Sequence, residues 1–254
     1  MFNPFTIFVY EPLYNVLVYI INTVPGGDVG VSIIVLTLAV KFAILPLTHK
    51  SVKANNKIKS IQGDITALKE KYSKDQKEQA ARIMNLYKEH GINPFSGCLF
   101  AVIQIPVIFG LYWVFWKGLQ EGIIQADILY SFVSVPEAIN FSFINLIDLR
   151  DRSIVLAVLA GLSQFFQLQL TFPTLPKEKE TKTKTKDISF SDELKKSFKT
   201  QARYVLPGVI FFVALSFPAA VPLYWVTSNI FSISHELLVK KKALQILTPK
   251  PEAP

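Results

Sequence analysis

Val31-Ser32-Ile33-Ile34-Val35-Leu36-Thr37-Leu38-Ala39-Val40-Lys41-Phe42-Ala43-Ile44-Leu45-Pro46-Leu47 sets one cation near the middle of an otherwise uncharged, apolar run. As a helix this run rises about 25 Å, close to the roughly 30 Å of a bilayer's hydrocarbon core. A Lys at the bilayer centre costs roughly 2.5–3.5 kcal/mol on insertion scales. Near a helix end it can snorkel to the headgroups. From mid-depth it has about 15 Å to cover with a stem of about 6 Å. Lys41 is therefore expected to face water or a polar cavity. The alternative is pairing with a buried carboxylate. No Asp or Glu lies in the interior of a predicted span, and Glu236 falls toward the inner end of one.

The same apolar pattern recurs along the chain. Half of the residues are hydrophobic and mean hydropathy is +0.34. The apolar residues are bunched into long runs, which excludes an ordinary soluble core. The expected fold is an all-α polytopic membrane protein. It has five transmembrane helices around a hydrophilic groove, an N-terminal interfacial helix and a cytoplasmic helical hairpin. Span 1 lies in residues 31–48, span 2 in 97–117 and span 3 in 153–173. Spans 4 and 5 form an antiparallel pair in 204–239, turning at Pro218 and Pro222. Residues 1–30 are apolar but interrupted by Glu11-Pro12. The helix beyond Pro12, to Asn22, would be about 18 Å long, too short to span. It reads as interfacial, with Tyr10, Tyr14 and Tyr19 near the headgroups. An extra span over 5–23 is the competing reading. With no Lys or Arg before Lys41, no signal peptide is expected.

The polar segments set the orientation. Residues 49–96 are charged, and Ile58, Ile61, Ile65, Leu68 and Tyr72 form one apolar stripe at three- and four-residue spacing. Ser73 to Gln76 fits a capping box that starts a second helix. Ala80, Ile83 and Tyr87 give that helix a matching stripe, and Gly91 fits its stop. Ten Lys/Arg lie in 48–95, nine in the Lys-rich loop 174–203, and four in the tail 240–254. Residues 1–30 hold none, and the loop 118–152 holds Arg150 and Arg152. Basic segments stay in the cytoplasm, so the N-terminus is expected outside and the C-terminus inside.

Polar residues in other spans can share a cavity with Lys41. Thr37 precedes it by four on the same face. Gln104 lies in span 2, Gln164 and Gln167 in span 3, and Trp225, Ser228 and Asn229 in span 5. Singly, such residues are more often glue between helices. Together with a cation they suggest a groove suited to an anionic or polar guest. No nucleophile motif, phosphate loop or metal-ligand spacing is present, so neither catalytic residues nor a cofactor or metal is expected. Cys98 is the only cysteine, which rules out an intrachain disulfide.

Asn93-Pro94-Phe95-Ser96-Gly97-Cys98-Leu99, with Gln104-Ile105-Pro106-Val107 and Leu111-Tyr112-Trp113, resembles the second-span signature of the YidC/Oxa/Alb membrane protein insertases. Phe217-Pro218-Ala219-Ala220 and Leu223 through Ser232 resemble that family's last hairpin. Thr37 through Leu47 resembles its first core span. The resemblance covers almost the whole chain.

It implies an insertase and chaperone, not an enzyme, in a bacterial-type cell (inner) membrane. Its groove would open to cytoplasm and lipid and receive the polar outer segment of a substrate. Nascent membrane proteins and the lipid bilayer are the implied partners. A Sec-type translocon and the ribosome are further candidates, and no direct DNA binding is expected. The family's groove cation, usually Arg, maps onto Lys41, and Gln167 and Trp225 map onto other groove positions. Phe100 stands where bacterial members usually carry Pro. A small transporter or channel for anionic solutes is the alternative function. It would not need the cytoplasmic hairpin.

Overall fold

In a computed structural model the described residues are 4–73, 75–93, 96–115, 124–171 and 204–247. The Lys-rich loop 174–203 and the end of the tail lie outside them. The described chain is almost wholly helical: α1 (Glu11–Thr23), α2 (Val29–Ala43), α3 (Leu45–Ser60), α4 (Gln62–Lys71), α5 (Gln76–Glu89), α6 (Ser96–Trp113), α7 (Ile154–Thr171), α8 (Tyr204–Ser216) and α9 (Ala220–Leu247). Its strands are the two short arms of one antiparallel hairpin, β1 (Ser142–Phe143) and β2 (Ile147–Asp148).

The deciding stretch does not form one straight helix. α2 ends at Ala43, and α3 leaves it at 66°. Pro46 is the cause. It cannot donate to the residue-42 carbonyl, and its ring would collide with that group if the helix ran on. Ile44 adopts φ −89°, ψ 0°, and Pro46 falls in the first turn of a new helix, where a missing N–H is harmless. Lys41 is thus in the last turn of α2, not at the middle of a long span. It lies about 18 Å along the axis from Val29, still within a core of about 30 Å.

α7 is long and apolar enough to cross a bilayer, and α2 with α3 meets the same test if taken as one bent span. Gln104–Trp113 and Tyr204–Ser216 are shorter apolar helical stretches. α9 continues helical to Leu247, beyond the boundary read at Val239. α7 packs against α8 and α9 through Ala157, Ala160 and Ala214, all fully buried. Gly161 lets α8 approach: a Cβ there would lie 3.1 Å from the Cβ of Phe211.

The N-terminal helix is longer than the sequence suggested. Helical geometry runs from Pro4 to Thr23, with a π-turn over Thr6–Tyr10 in which the Glu11 N–H donates to the Thr6 carbonyl. The wider turn makes room for the Pro12 ring, so Glu11-Pro12 does not break the helix. Tyr14 is wholly buried and Tyr10 nearly so, packed with Leu17, Val18 and Ile21 in the main core rather than exposed toward headgroups. Tyr19 remains half exposed.

The loop 124–134 runs along α1. The Tyr14 hydroxyl accepts from the Gln125 N–H at 2.8 Å. Asn15 donates to the Ile128 carbonyl and accepts from the Tyr130 N–H, and Asn22 donates to the Ser134 carbonyl. Gly27, at φ 63°, turns the chain directly beneath the Ala138 carbonyl, where any Cβ would clash at 2.1 Å. Together α1, this loop and the β-hairpin cap one end of the bundle. Backbone bonds from Ala219 and Ala220 to Asp151 and Leu149 tie that cap to the start of α9.

At the other end, α4 and α5 pair around Ile61, Ile65 and Ile92, with Ile58, Ile83, Leu86 and Tyr87 alongside. The stripe from Ile58 to Tyr72 is split by a break at Ile61, and Ala80 is exposed. The N-cap of α5 is Asp75, accepting from the Glu78 N–H, instead of the expected Ser73. Gly91, at φ 59°, ends the helix, with its own N–H and that of Ile92 turned back onto Lys88 and Tyr87.

Candidate functional site

Lys41 is 4 % exposed and lies where α2, α6 and α9 meet. Its ammonium donates to Gln104 Oε1 on α6 and to Ser232 Oγ on α9, both at 3.3 Å. Gln104 Nε2 donates in turn to the Tyr224 hydroxyl at 2.5 Å. The Ser232 hydroxyl also donates to the Ser228 carbonyl one turn earlier. Tyr224, Ser228 and Ser232 recur every four residues, so one stripe of α9 faces Gln104 and Lys41. The Lys41 ammonium is thereby held by the Gln104 and Ser232 oxygens. In place of an open watery recess, side chains close directly over it.

The sequence candidates divide into groups. Gln104 meets Lys41, and Ser228 belongs to the same stripe and is buried. Thr37 is buried, but its hydroxyl donates to its own helix, at the Ile33 carbonyl. Asn229, on the adjacent stripe of α9, donates to Ser163 Oγ at 3.1 Å and to Gln164 Oε1 at 3.3 Å. Gln164 donates to Gln167 Oε1 at 2.9 Å. These four residues make a second polar cluster, between α7 and α9. Trp225 is half-buried between the two apolar cores.

Ser232, one of the polar residues the sequence offers in span 5, meets Lys41 directly, whereas Tyr224 lies outside the candidate set; the four-residue repeat through Ser228 and Ser232 could have found it. A third polar group joins α3, α7 and α9. Lys59 of α3 makes an ion pair with Glu236 of α9 at 2.9 Å and also donates to the Leu170 carbonyl, while Thr171 donates to the other Glu236 oxygen at 3.0 Å. Glu236 therefore serves Lys59. Beside it, His49 Nδ1 and His235 Nε2 lie 3.1 Å apart, joining α3 to α9 again. No spacing rule links positions so far apart in the chain.

A seam of hydrogen-bonding groups runs along α9 from Tyr224 to Glu236, and apolar side chains of α2, α6, α8 and α9 lie exposed. Phe42, Ile105, Phe109, Phe212 and Ile230 are among the exposed ones. Such a section suits a guest with one polar and one apolar part.

A family model described as 60Kd inner membrane protein matches residues 20–245. "Membrane protein insertase YidC" of Wolinella succinogenes is 32% identical over 238 residues, covering 93% of this chain and 38% of that protein. The protein of the same name from Fusobacterium nucleatum is 30% identical over 237 residues, covering 92% of this chain and 98% of that protein. The one from Citrifermentans bemidjiense is 30% identical over 215 residues, covering 85% and 34%. The chain thus spans little more than a third of two of these relatives and nearly the whole of the third.

Proposed function

The chain belongs to the 60Kd inner membrane protein family, whose curated relatives are named membrane protein insertase YidC, and on that premise we propose that it inserts transmembrane segments of other proteins and helps them fold. It acts in a bacterial inner membrane, by binding rather than by catalysis. Five spans supply the working part: α2, α6, α7, α8 and α9. The N-terminus lies outside and the basic tail inside, as the charge asymmetry requires.

The observation that carries this reading is the buried Lys41, hydrogen-bonded to Gln104 and Ser232 from two other helices. An intramembrane cation is expensive, and a purely structural contact does not need one. Opened toward the cytoplasm, the seam of Lys41, Gln104, Gln164, Gln167, Ser228 and Asn229 becomes a hydrophilic groove. It receives the polar, often acidic, outer segment of a nascent chain, while Thr37 and Trp225 shape its walls. The substrate's apolar helix meets lipid beside it. The cap of α1 and the 124–151 loop keeps the outer end shut. The cytoplasmic hairpin and basic tail face the ribosome, and a Sec-type translocon is a further partner.

The test is rescue of an insertase-depleted bacterium by this chain, scored by growth and by protease protection of single-span test proteins. Growth without restored insertion, or neither, would overturn the proposal.

A further inference from the structure

The β1–β2 hairpin turns through Phe143-Ile144-Asn145-Leu146, closed by the Leu146 N–H donating to the Phe143 carbonyl at 3.1 Å. Ile144 and Asn145 both have positive φ, at 48° and 56°. Asn tolerates that region, but a β-branched residue there is strained, and Asn-Gly is the usual choice for such turns. The strain buys no burial: Ile144 is 58 % exposed and Leu146 is 81 % exposed. A turn with a disfavoured backbone and two bare apolar side chains is poorly suited to water.

Its position in the fold says what covers it. The Phe143 ring lies against Gly30, in the first turn of α2, so closely that a Cβ there would meet it at 2.2 Å. The Ala220 N–H at the start of α9 donates to the carbonyl of Leu149, the residue after the second arm, and α7 begins six residues after β2 ends. The tip is therefore level with the outer ends of three spans, where headgroups give way to acyl chains. The neighbouring side chains at that level, Val31, Ile154 and Val155, are exposed and apolar as well. At the base of the hairpin Arg150 pairs with Asp148 at 2.7 Å and stacks over Phe141, so a cation is held where phosphates lie. Arg150 also holds the Asp148 carboxyl below the usual carboxylate range, keeping the pair charged.

We infer that the hairpin tip, Ile144 and Leu146, inserts into the outer leaflet and docks the outer cap onto lipid. This rests on the membrane-spanning reading given above. The lipid-exposed tip replaces a water contact by burial in the acyl boundary, the same logic that holds interfacial helices in place. It fixes the depth of the cap, and with it the outer end of the closed groove.

The experiment uses the full chain, purified into vesicles of phosphatidylglycerol and phosphatidylethanolamine, with Cys98→Ala and a single environment-sensitive label. Labels go on Leu146→Cys, on Glu137→Cys as an exposed loop position, and on Phe212→Cys as a lipid-facing position of α8. Quenching by lipid carrying a nitroxide near the headgroup is compared with quenching by aqueous iodide. The Leu146 label should be quenched several-fold more by nitroxide lipid than the Glu137 label, and several-fold less by iodide. Adding Ile144→Asp should reverse that ratio. A Leu146 label as wet as Glu137, with Phe212 quenched by lipid, overturns the inference and leaves the spans standing. A wet Phe212 label overturns the membrane reading itself. A Leu146 label that is wet in vesicles but shielded in native membranes, with a photocrosslinker at 146 yielding a protein adduct, assigns the tip to a protein partner and equally overturns the inference.

Discussion

Replacing Lys41 by Met removes the charge while keeping most of the side-chain volume. Its ammonium hydrogen-bonds Gln104 and Ser232 at 3.3 Å, the long end of the range. At about 1.5 kcal/mol for each charged bond, the low end, they contribute about 3 kcal/mol. Proximity to the α2 C-terminus adds about 0.5 kcal/mol. Against this stands about 2.5–3.5 kcal/mol for a Lys within the bilayer. The terms nearly cancel, so Lys41→Met should change stability by less than about 1.5 kcal/mol. Insertion should behave differently. An acidic group about 6 Å from Lys41, at an effective dielectric of about 20, gains about 3 kcal/mol. Test proteins with acidic outer tails should therefore lose insertion with Lys41→Met, and neutral tails should lose less. Lys41→Arg should retain function, and Lys41→Glu should be worst. Protease protection of the tail at matched expression measures the first effect, and thermal unfolding in detergent the second. Full insertion of acidic and neutral tails by Lys41→Met would refute the role of charge. A large loss of stability would show that Lys41 serves the fold.

Glu236→Gln should destabilise by about 3 kcal/mol because it removes the carboxylate that neutralises Lys59, and adding Lys59→Met should recover much of the loss. Equal melting of single and double variants would contradict this. In a Cys98→Ala background, cysteines at Thr23 and Ala138 should react with an impermeant reagent from outside, while those at Ser73 and Thr183 should not. Reaction at Ser73 would reverse the assigned orientation. Ile61→Asp with Ile65→Asp places charge in a small apolar seam, so the α4–α5 pair should become sensitive to protease in the intact protein; unchanged resistance argues against that seam.

The helical class was legible because long apolar runs have few other outcomes. That polar residues of other spans gather near Lys41 was legible, since a cation among uncharged residues needs a polar surrounding, but its direct bonds to Gln104 and Ser232 in place of water were not. Local backbone chemistry was less so. Pro46 looked like the end of a span, but it moved the break to Ile44 and brought Lys41 into the last turn. Pro12 looked like a helix start and was absorbed by a π-turn instead. Asp75 outcompeted Ser73 as a cap because a carboxylate at the N-terminus also meets the helix dipole. The Lys59–Glu236 pair was illegible, because 177 residues separate its members and neither sits in a periodic pattern.

The bend at Ile44 gives α3 a mechanical character. It is a rigid rod about 24 Å long, hinged three residues after Lys41 and pinned near its far end by Lys59 to Glu236. A swing of only about 5° at the hinge displaces the far end by about 2 Å, stretching that ion pair to about 5 Å, beyond direct contact. Load applied to the α4–α5 hairpin would therefore bear on the Lys59–Glu236 pair, on the His49–His235 contact and on the turn that carries Lys41.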